Sequence, residues 1–414
     1  MKDKVIAVID MRAFYSYVEC VDRGLNPWCT PLVVADKDRG KNTIVLSVTP
    51  YLKSLGVPSR LRIRDLPKRN DYIYAVPRME RYLEKSSQVM SIILRFVDEE
   101  DLHIYSIDEA FVNLGPYLNY YGKSANELVQ EIKLAINAET GLECTAGIGD
   151  SMFLAKVALD RYAKKEKNGI AELYKKDIKE KLWPLHPLNT IWGIGENLQR
   201  RLNALGMYKM GDIAKANRDF MKLHFGVIGD DLVDHANGID NSNIREKYVP
   251  KEKSLTAGQV LFKDYSPEEA KLIIKELCDD LMTRLRLGGK MTGCVSLYIG
   301  YSKQGGFSAQ MSLLKDTDDT DIVYETLLEI YKKHVENMPI RRISIALSKL
   351  RFFNNFEQLD LFVDSETSNR KRNLQFTIDH INQKYGRNSI LRTSALLESS
   401  TIIERHSFIG GHKR

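Results

Sequence analysis

Cysteine is scarce in this chain of 414 residues, which has five, Cys20, Cys29, Cys144, Cys278 and Cys294. The number is odd, the spacing scattered, and no Cys-x-x-Cys pair occurs. That argues against a structural zinc site and for a reducing cytosol. Long apolar runs are lacking too, since no stretch approaches the roughly 18 to 20 residues needed to cross a bilayer. The N-terminus runs directly into a strand pattern, so neither signal peptide nor membrane association is expected. A P-loop is missing as well. Cys144-Thr-Ala-Gly-Ile-Gly149 has the glycines but no Gly-Lys-Ser/Thr, and its glycines read as permitting close packing beside an acidic site.

Core-forming material is ample, with 43% apolar and 28% charged residues, and the length implies about two to four domains. The net charge of +6 is unevenly spread, because residues 365–414 hold nine Lys/Arg against four Asp/Glu. The body must therefore meet any polyanion through local stripes rather than bulk charge.

Two short acidic segments stand out. Asp10 ends the apolar run Val5-Ile-Ala-Val-Ile9, and Asp108-Glu109 interrupts His103-Ile-Tyr-Ser-Ile-Asp-Glu-Ala-Phe-Val112. Unpaired carboxylates at the ends of buried strands are costly. Three of them converging would make an oxygen cage for hard divalent ions, two of which can clamp an in-line phosphoryl displacement. Taken singly, Asp10 also reads as a helix N-cap and Asp108-Glu109 as a solvated hairpin tip. Phe14 and Tyr15 follow on the next turn and cannot share one core face, so one of them is expected in a cleft.

The pattern predicts strands over 4–10, 31–35, 43–48 and 144–148, and helices over 13–22, 78–97, 124–139 and 151–165. From 171 to 238 it changes to short helices and tight turns, among them Ile191-Trp-Gly-Ile-Gly195 followed by Leu198, Leu202 and Leu205-Gly206. This is the helix-hairpin-helix pattern, in which Gly193 and Gly195 let backbone N–H groups approach a DNA phosphate. The bland reading is an ordinary glycine turn between helices. Residues 254–350 spell a β-α-β-β-α-β unit. Gln358-Leu-Asp-Leu-Phe362 suits an extended peptide inserting Leu361 and Phe362 into a partner's pocket, or else a strand end packed on its own domain. The remainder is tail-like.

Together these motifs resemble the Y-family translesion DNA polymerases, and more closely the UmuC-like type of Gram-positive bacteria and their mobile elements. The resemblance rests on Ile9-Asp-Met-Arg-Ala-Phe-Tyr-Ser-Tyr-Val-Glu19, Tyr105-Ser-Ile-Asp-Glu-Ala-Phe111, Thr145-Ala-Gly-Ile-Gly149 with Leu154-Ala-Lys156, and the helix-hairpin-helix. It implies an α+β, multidomain right hand: palm 1–23 and 75–168, fingers 24–74, thumb 169–240, linker 241–253, and little finger 254–352. A clamp-binding segment and basic C-terminal tail fill 353–414.

The resemblance also implies roles. Asp10, Asp108 and Glu109 match the catalytic, metal-binding carboxylates, with Met11 adding its backbone carbonyl, for two Mg²⁺ ions, or Mn²⁺ as an alternative. Tyr15 matches the steric gate against a 2′-hydroxyl, with Phe14 packed behind it. Lys53 matches a triphosphate contact, whereas Pro50 stands where many members have a phosphate-binding Tyr. A second triphosphate lysine falls at Lys164 or Lys165, one residue further from Lys156 than is usual. Arg12 replaces a non-essential second acid. The implied partners are primed damaged DNA, dNTP and the replication sliding clamp (β clamp), bound through Gln358, Leu361 and Phe362. A UmuD-like subunit or a recombinase filament is left open.

The function so implied is low-fidelity, template-directed synthesis in the SOS response by a monomeric, cytoplasmic, nucleoid-associated enzyme. Its small fingers imply an open and lesion-tolerant site. Two rivals are a catalytically silent DNA- and clamp-binding scaffold, which should have lost its carboxylates, and a phosphohydrolase using Asp10 as nucleophile. The latter wants a second Asp where Arg12 stands.

Overall fold

In the computed structural model the described residues are 4–246, 249–250, 253–303, 305–353 and 365–414, with the side chains of 365–368 left aside. The chain divides into two compact units, Met1–Tyr248 and Val249–Arg414.

The first unit opens with β1 (Ile6–Met11) and α1 (Phe14–Asp22), joined through Ala13 in the left-handed region at φ 44°. A small sheet follows, of β2 (Leu32–Val34), β3 (Ser47–Val48) and β4 (Ile73–Ala75), with α2 (Pro50–Ser54) between its last two strands. Then come α3 (Met79–Ile93), β5 (Leu102–Ile104), β6 (Glu109–Asn113), α4 (Leu118–Tyr121) and α5 (Ala125–Thr140). A capping box between Ser124 and Glu127 starts α5. β7 (Cys144–Gly149), α6 (Met152–Arg161) and β8 (Ile170–Leu173) complete a sheet in the order β5-β6-β1-β7-β8. β8 was not foreseen. It lies beyond residue 168 and pairs parallel to β7.

Alternation along β1 decides what each sheet face covers. Ala7, Ile9 and Met11 join Ala110 and Val112 of β6 in a core with α1, α3 and α5. Ile6, Val8 and Phe111 turn the other way, onto Ala155 and Leu159 of α6. Two glycines let α6 lie close. A Cβ at Gly147 would stand 2.1 Å from the Ala155 carbonyl oxygen, and one at Gly149 would stand 2.8 Å from the Ala155 nitrogen. The packing expected of these glycines is thus what the structure shows.

The unit's second half is helical: α7 (Glu196–Ala204), α8 (Met210–Ala214), α9 (Arg218–Phe225) and α10 (Val227–Ala236) surround Leu188, Ile191, Ile194, Leu202 and Met210. The stretch read as the start of a linker is anchored. Asp240 accepts from the Phe153 N–H at 2.9 Å, Ile244 is buried, and Arg245 forks onto the buried Asp101 at 2.7 and 2.8 Å.

The second unit is β9 (Leu255–Tyr265), α11 (Pro267–Leu287), β10 (Lys290–Tyr301), β11 (Gly306–Thr317), α12 (Thr320–His334) and β12 (Ile340–Phe352). The strands form an antiparallel sheet in the order β11-β10-β12-β9, with both helices on one face. The β-α-β-β-α-β expectation holds.

The segment read as tail-like is folded. It supplies α13 (Ser365–Tyr385), α14 (Ile402–His406) and a short ribbon of β13 (Phe408–Ile409) and β14 (His412–Lys413). Its anchors are charges. Asp379 takes Arg286 of α11 at 2.5 Å with both side chains buried, Arg372 takes Asp318, and Arg405 with His406 takes Asp280. Gln358, Leu361 and Phe362 lie outside the described residues.

Candidate active site

The acids meet at one end of the central sheet. Asp10 is the cross-strand partner of Glu109 in the antiparallel β1–β6 pair, so both side chains share the face covered by α6. Asp108 immediately precedes β6. Its carbonyl accepts the Met11 N–H at 2.9 Å, and its carboxylate accepts the Ser106 hydroxyl at 2.7 Å. Met11 is buried beside them. The sheet register thus gathers residues that the sequence keeps about a hundred positions apart.

Helix α6 carries the neutralising charge. Lys156 donates to Glu109 Oε2 at 2.9 Å and stands 2.8 Å from Oε1 without the angle for a second hydrogen bond. Among the described residues Oε1 is thus a buried acceptor that receives no hydrogen bond, only the charge of Lys156. Asp160, one turn on, lies 3.3 Å from Lys156 and 3.1 Å from Lys164, and Lys164 reaches to 3.6 Å from Asp10. Lys156 and Asp160 share one face of α6 by their spacing of four, whereas Lys164 lies past the helix end, in the 3₁₀ turn Ala163–Lys165.

Burial raises the Asp10 pKa, and Asp108 adds to the rise while Lys164 opposes it. Burial alone would depress the Lys156 ammonium, but the hydrogen bond and charge of Glu109 reverse this and hold it protonated. The Lys53 ammonium is lowered, first by partial enclosure and then by Lys164, with Asp10 and Asp108 pulling the other way. Lys53 and Lys164 therefore serve the same locus. Lys165 is exposed and makes no ion pair among the described residues.

The donor set of two aspartates, a glutamate with an unsatisfied buried oxygen, and a backbone carbonyl is that of a hard divalent cation. Among the described residues no three acidic, His or Cys side chains close into a ready-made metal cluster. The chemistry fits, with Lys156 and Lys164 as the present counter-charges.

Tyr15 is half-buried at the cleft and stacks on Tyr82 at 4.6 Å between ring centroids, while Phe14 is buried in the core behind it. The Tyr82 hydroxyl donates at 2.7 Å to the buried Glu19, which also receives Arg78 at 2.9 Å. The Tyr15 phenol is pushed up by burial and then by Asp108, while Arg60 lowers it. Arg60 sits at φ 67°, a left-handed conformation uncommon outside glycine.

Sequence reasoning quoted Glu19 and Lys156 only as parts of motifs, without a role, and did not single out Asp160, Tyr82 or Arg60 for the site. An i, i+4 spacing was the available signal for Asp160, and the Leu-Ala-Lys156 motif the one for Lys156.

Further along the unit, Gly193 has φ 87° and Gly195 stands just before α7. Among the described residues, nothing beyond the adjoining residues comes within 4 Å of where a Cβ would be on either. Trp192, just before Gly193, donates its indole N–H to the Tyr105 hydroxyl at 3.1 Å, linking this turn to the acid-bearing hairpin.

Comparisons with known proteins agree with this architecture. Residues 9–160 match the impB/mucB/samB family, 175–207 the helix-hairpin-helix motif of that family, and 252–361 its C-terminal domain. The chain is 36% identical to the putative UV-damage repair protein UvrX of Bacillus subtilis, covering 99% of this chain and 98% of that protein. It is 31% identical to DNA polymerase IV 2 of the same organism, covering 100% and 99%. Against DNA polymerase IV 2 of Halalkalibacterium halodurans it is 30% identical, covering 99% of each. Among solved structures, a Y-family DNA polymerase chimera, Dbh-Dpo4(243-245)-Dbh, superposes with a TM-score of 0.68 at 21% identity, covering 84% of this chain and all of that one. With matches of this extent over the whole chain, it belongs to the impB/mucB/samB family of Y-family DNA polymerases.

Proposed function

We propose that this protein is a DNA-directed DNA polymerase that extends primers past damaged template bases, working in the cytoplasm at the nucleoid during the SOS response. The observation that carries the reading is the cross-strand pairing of Asp10 with Glu109 on the α6 face, with Asp108 tied beside them through Met11. In the reaction the primer 3′-hydroxyl attacks the α-phosphate of a dNTP and pyrophosphate leaves. Asp10, Asp108, Glu109 and the Met11 carbonyl would hold two divalent ions of the Mg²⁺ type, which supply charge stabilisation to the phosphates when bound.

The chain's own groups do the positioning. The Lys53 and Lys164 ammonium groups take phosphate oxygens. The Tyr15 ring, held by Tyr82, closes under the deoxyribose. A ribose 2′-hydroxyl meeting that ring loses its hydration, a penalty of about 1–3 kcal/mol. The open Gly193-Ile-Gly195 turn lets backbone N–H groups reach a DNA phosphate without regard to sequence. Gln358, Leu361 and Phe362 are proposed, from the sequence alone, to engage the sliding clamp.

Primer extension on a template with an abasic site is the test. Asp108→Ala should reduce incorporation by at least about a hundred-fold while leaving primer–template affinity within a few-fold. Equal extension by variant and wild type would sink the catalytic assignment of Asp108, and no extension by either would establish the scaffold role instead.

A further inference from the structure

Lys164 is shared between two carboxylates, 3.1 Å from Asp160 and 3.6 Å from Asp10. Asp160 is itself shared, since Lys156 lies 3.3 Å away on the opposite side and spans to Glu109. The row Lys156–Asp160–Lys164 thus sets two ammonium groups over two acids, with a third acid holding both back. A divalent cation coordinated by Asp10 and an ammonium resting on the same carboxylate repel each other, so both cannot be held at full strength.

We infer that Lys164 competes with metal for Asp10, and that Asp160 is a positioning residue that keeps Lys164 and Lys156 from collapsing onto Asp10 and Glu109. This rests on reading Asp10 as a metal ligand. Before nucleotide arrives, Lys164 neutralises Asp10 and weakens metal binding there. The incoming triphosphate offers Lys164 a better partner, draws it off Asp10, and leaves the carboxylate to the ion. Nucleotide and metal affinities are thereby coupled through one side chain. The one-residue shift of Lys164 along the chain is compatible with this, because the turn Ala163–Lys165 directs it to both acids.

The test is Mn²⁺ binding to the full-length protein without DNA or nucleotide, read from the electron paramagnetic resonance signal of free Mn²⁺. Lys164→Met should tighten binding by roughly two- to five-fold, the range of a half-exposed ion pair, and Lys164→Arg should not. Asp160→Asn should weaken it by a similar factor, because both lysines then fall fully on the site acids. In single-turnover extension Lys164→Met should also raise the dNTP concentration needed for half-maximal rate. Asp10→Asn serves as control, and loss of Mn²⁺ binding in that variant supports the underlying assignment. If Asp10→Asn binds Mn²⁺ as wild type does, the metal-site reading itself fails. If it loses binding but Lys164→Met is unchanged or weaker, or Asp160→Asn is unchanged or tighter, the competition is refuted and the site stands.

Discussion

Asp10 shows what the site demands of a single residue. It is the penultimate residue of a strand whose other residues are apolar, its pKa is raised chiefly by burial, and Lys164 compensates it only in part. A charge held against its preference destabilises the fold, so Asp10→Asn should make the metal-free protein more stable by about 1 kcal/mol. Urea unfolding with a chelator present would read this, and a lower midpoint would show that the charge is better satisfied than the geometry indicates. The acids, and Tyr15 beside them, were legible in the sequence because alternation and strand ends are local patterns. Lys156 and Asp160 were not legible in their roles. Which face of α6 meets which face of the sheet is settled by the parity of Ile6 and Val8 against Ala155 and Leu159, a tertiary fact.

At the level of elements, charges fasten pieces that hydrophobic periodicity does not join. Asp101 is fully buried yet its pKa is lowered. Burial alone would raise it, and the hydrogen bonds from Arg245, Asn113 and Tyr117 prevail. A carboxyl with a depressed folded pKa contributes stability that is present above its unfolded value, near 3.9, and is lost as pH falls through the folded value. Acid titration followed by circular dichroism should therefore show wild type losing part of its stability below about pH 4, and Asp101→Asn should lack that component. Parallel acid profiles would remove Asp101 as the anchor of residues 240–246. The same reasoning explains why this segment read as a linker. Its attachments are Asp240, Ile244 and Arg245, three scattered residues with no period.

Over the whole molecule, the two units carry separate cores, and the C-terminal segment belongs to the second. Its helix α13 brings Asp379 to Arg286, both buried, with Thr283 and Thr320 completing the hydrogen bonds. Removing one member of such a pair leaves the other charge buried, so Asp379→Ala should cost about 3–5 kcal/mol of second-unit stability. Guanidinium unfolding of the intact protein should show an earlier transition for one unit. A single unshifted transition would mean that the segment is only lightly attached. Composition marked this region as basic but could not mark it as folded, because the acids that receive its cations lie far back in the chain, at Glu276, Asp279, Asp280 and Asp318.

Gly147 and Gly149 lie in mid-sheet, bear no charge and touch no proposed substrate. Because neither has a Cβ, α6 rests directly on the backbone of β7, and the height of that helix sets the reach of Lys156 toward Glu109. A methyl group at Gly147 would collide with backbone rather than with a yielding side chain, and the helix would have to lift as a body. Lys156 would then withdraw from Glu109. The electrostatic tuning of the proposed active site is therefore a property of helix-to-sheet distance, open to change by substitutions that alter no ionisable group.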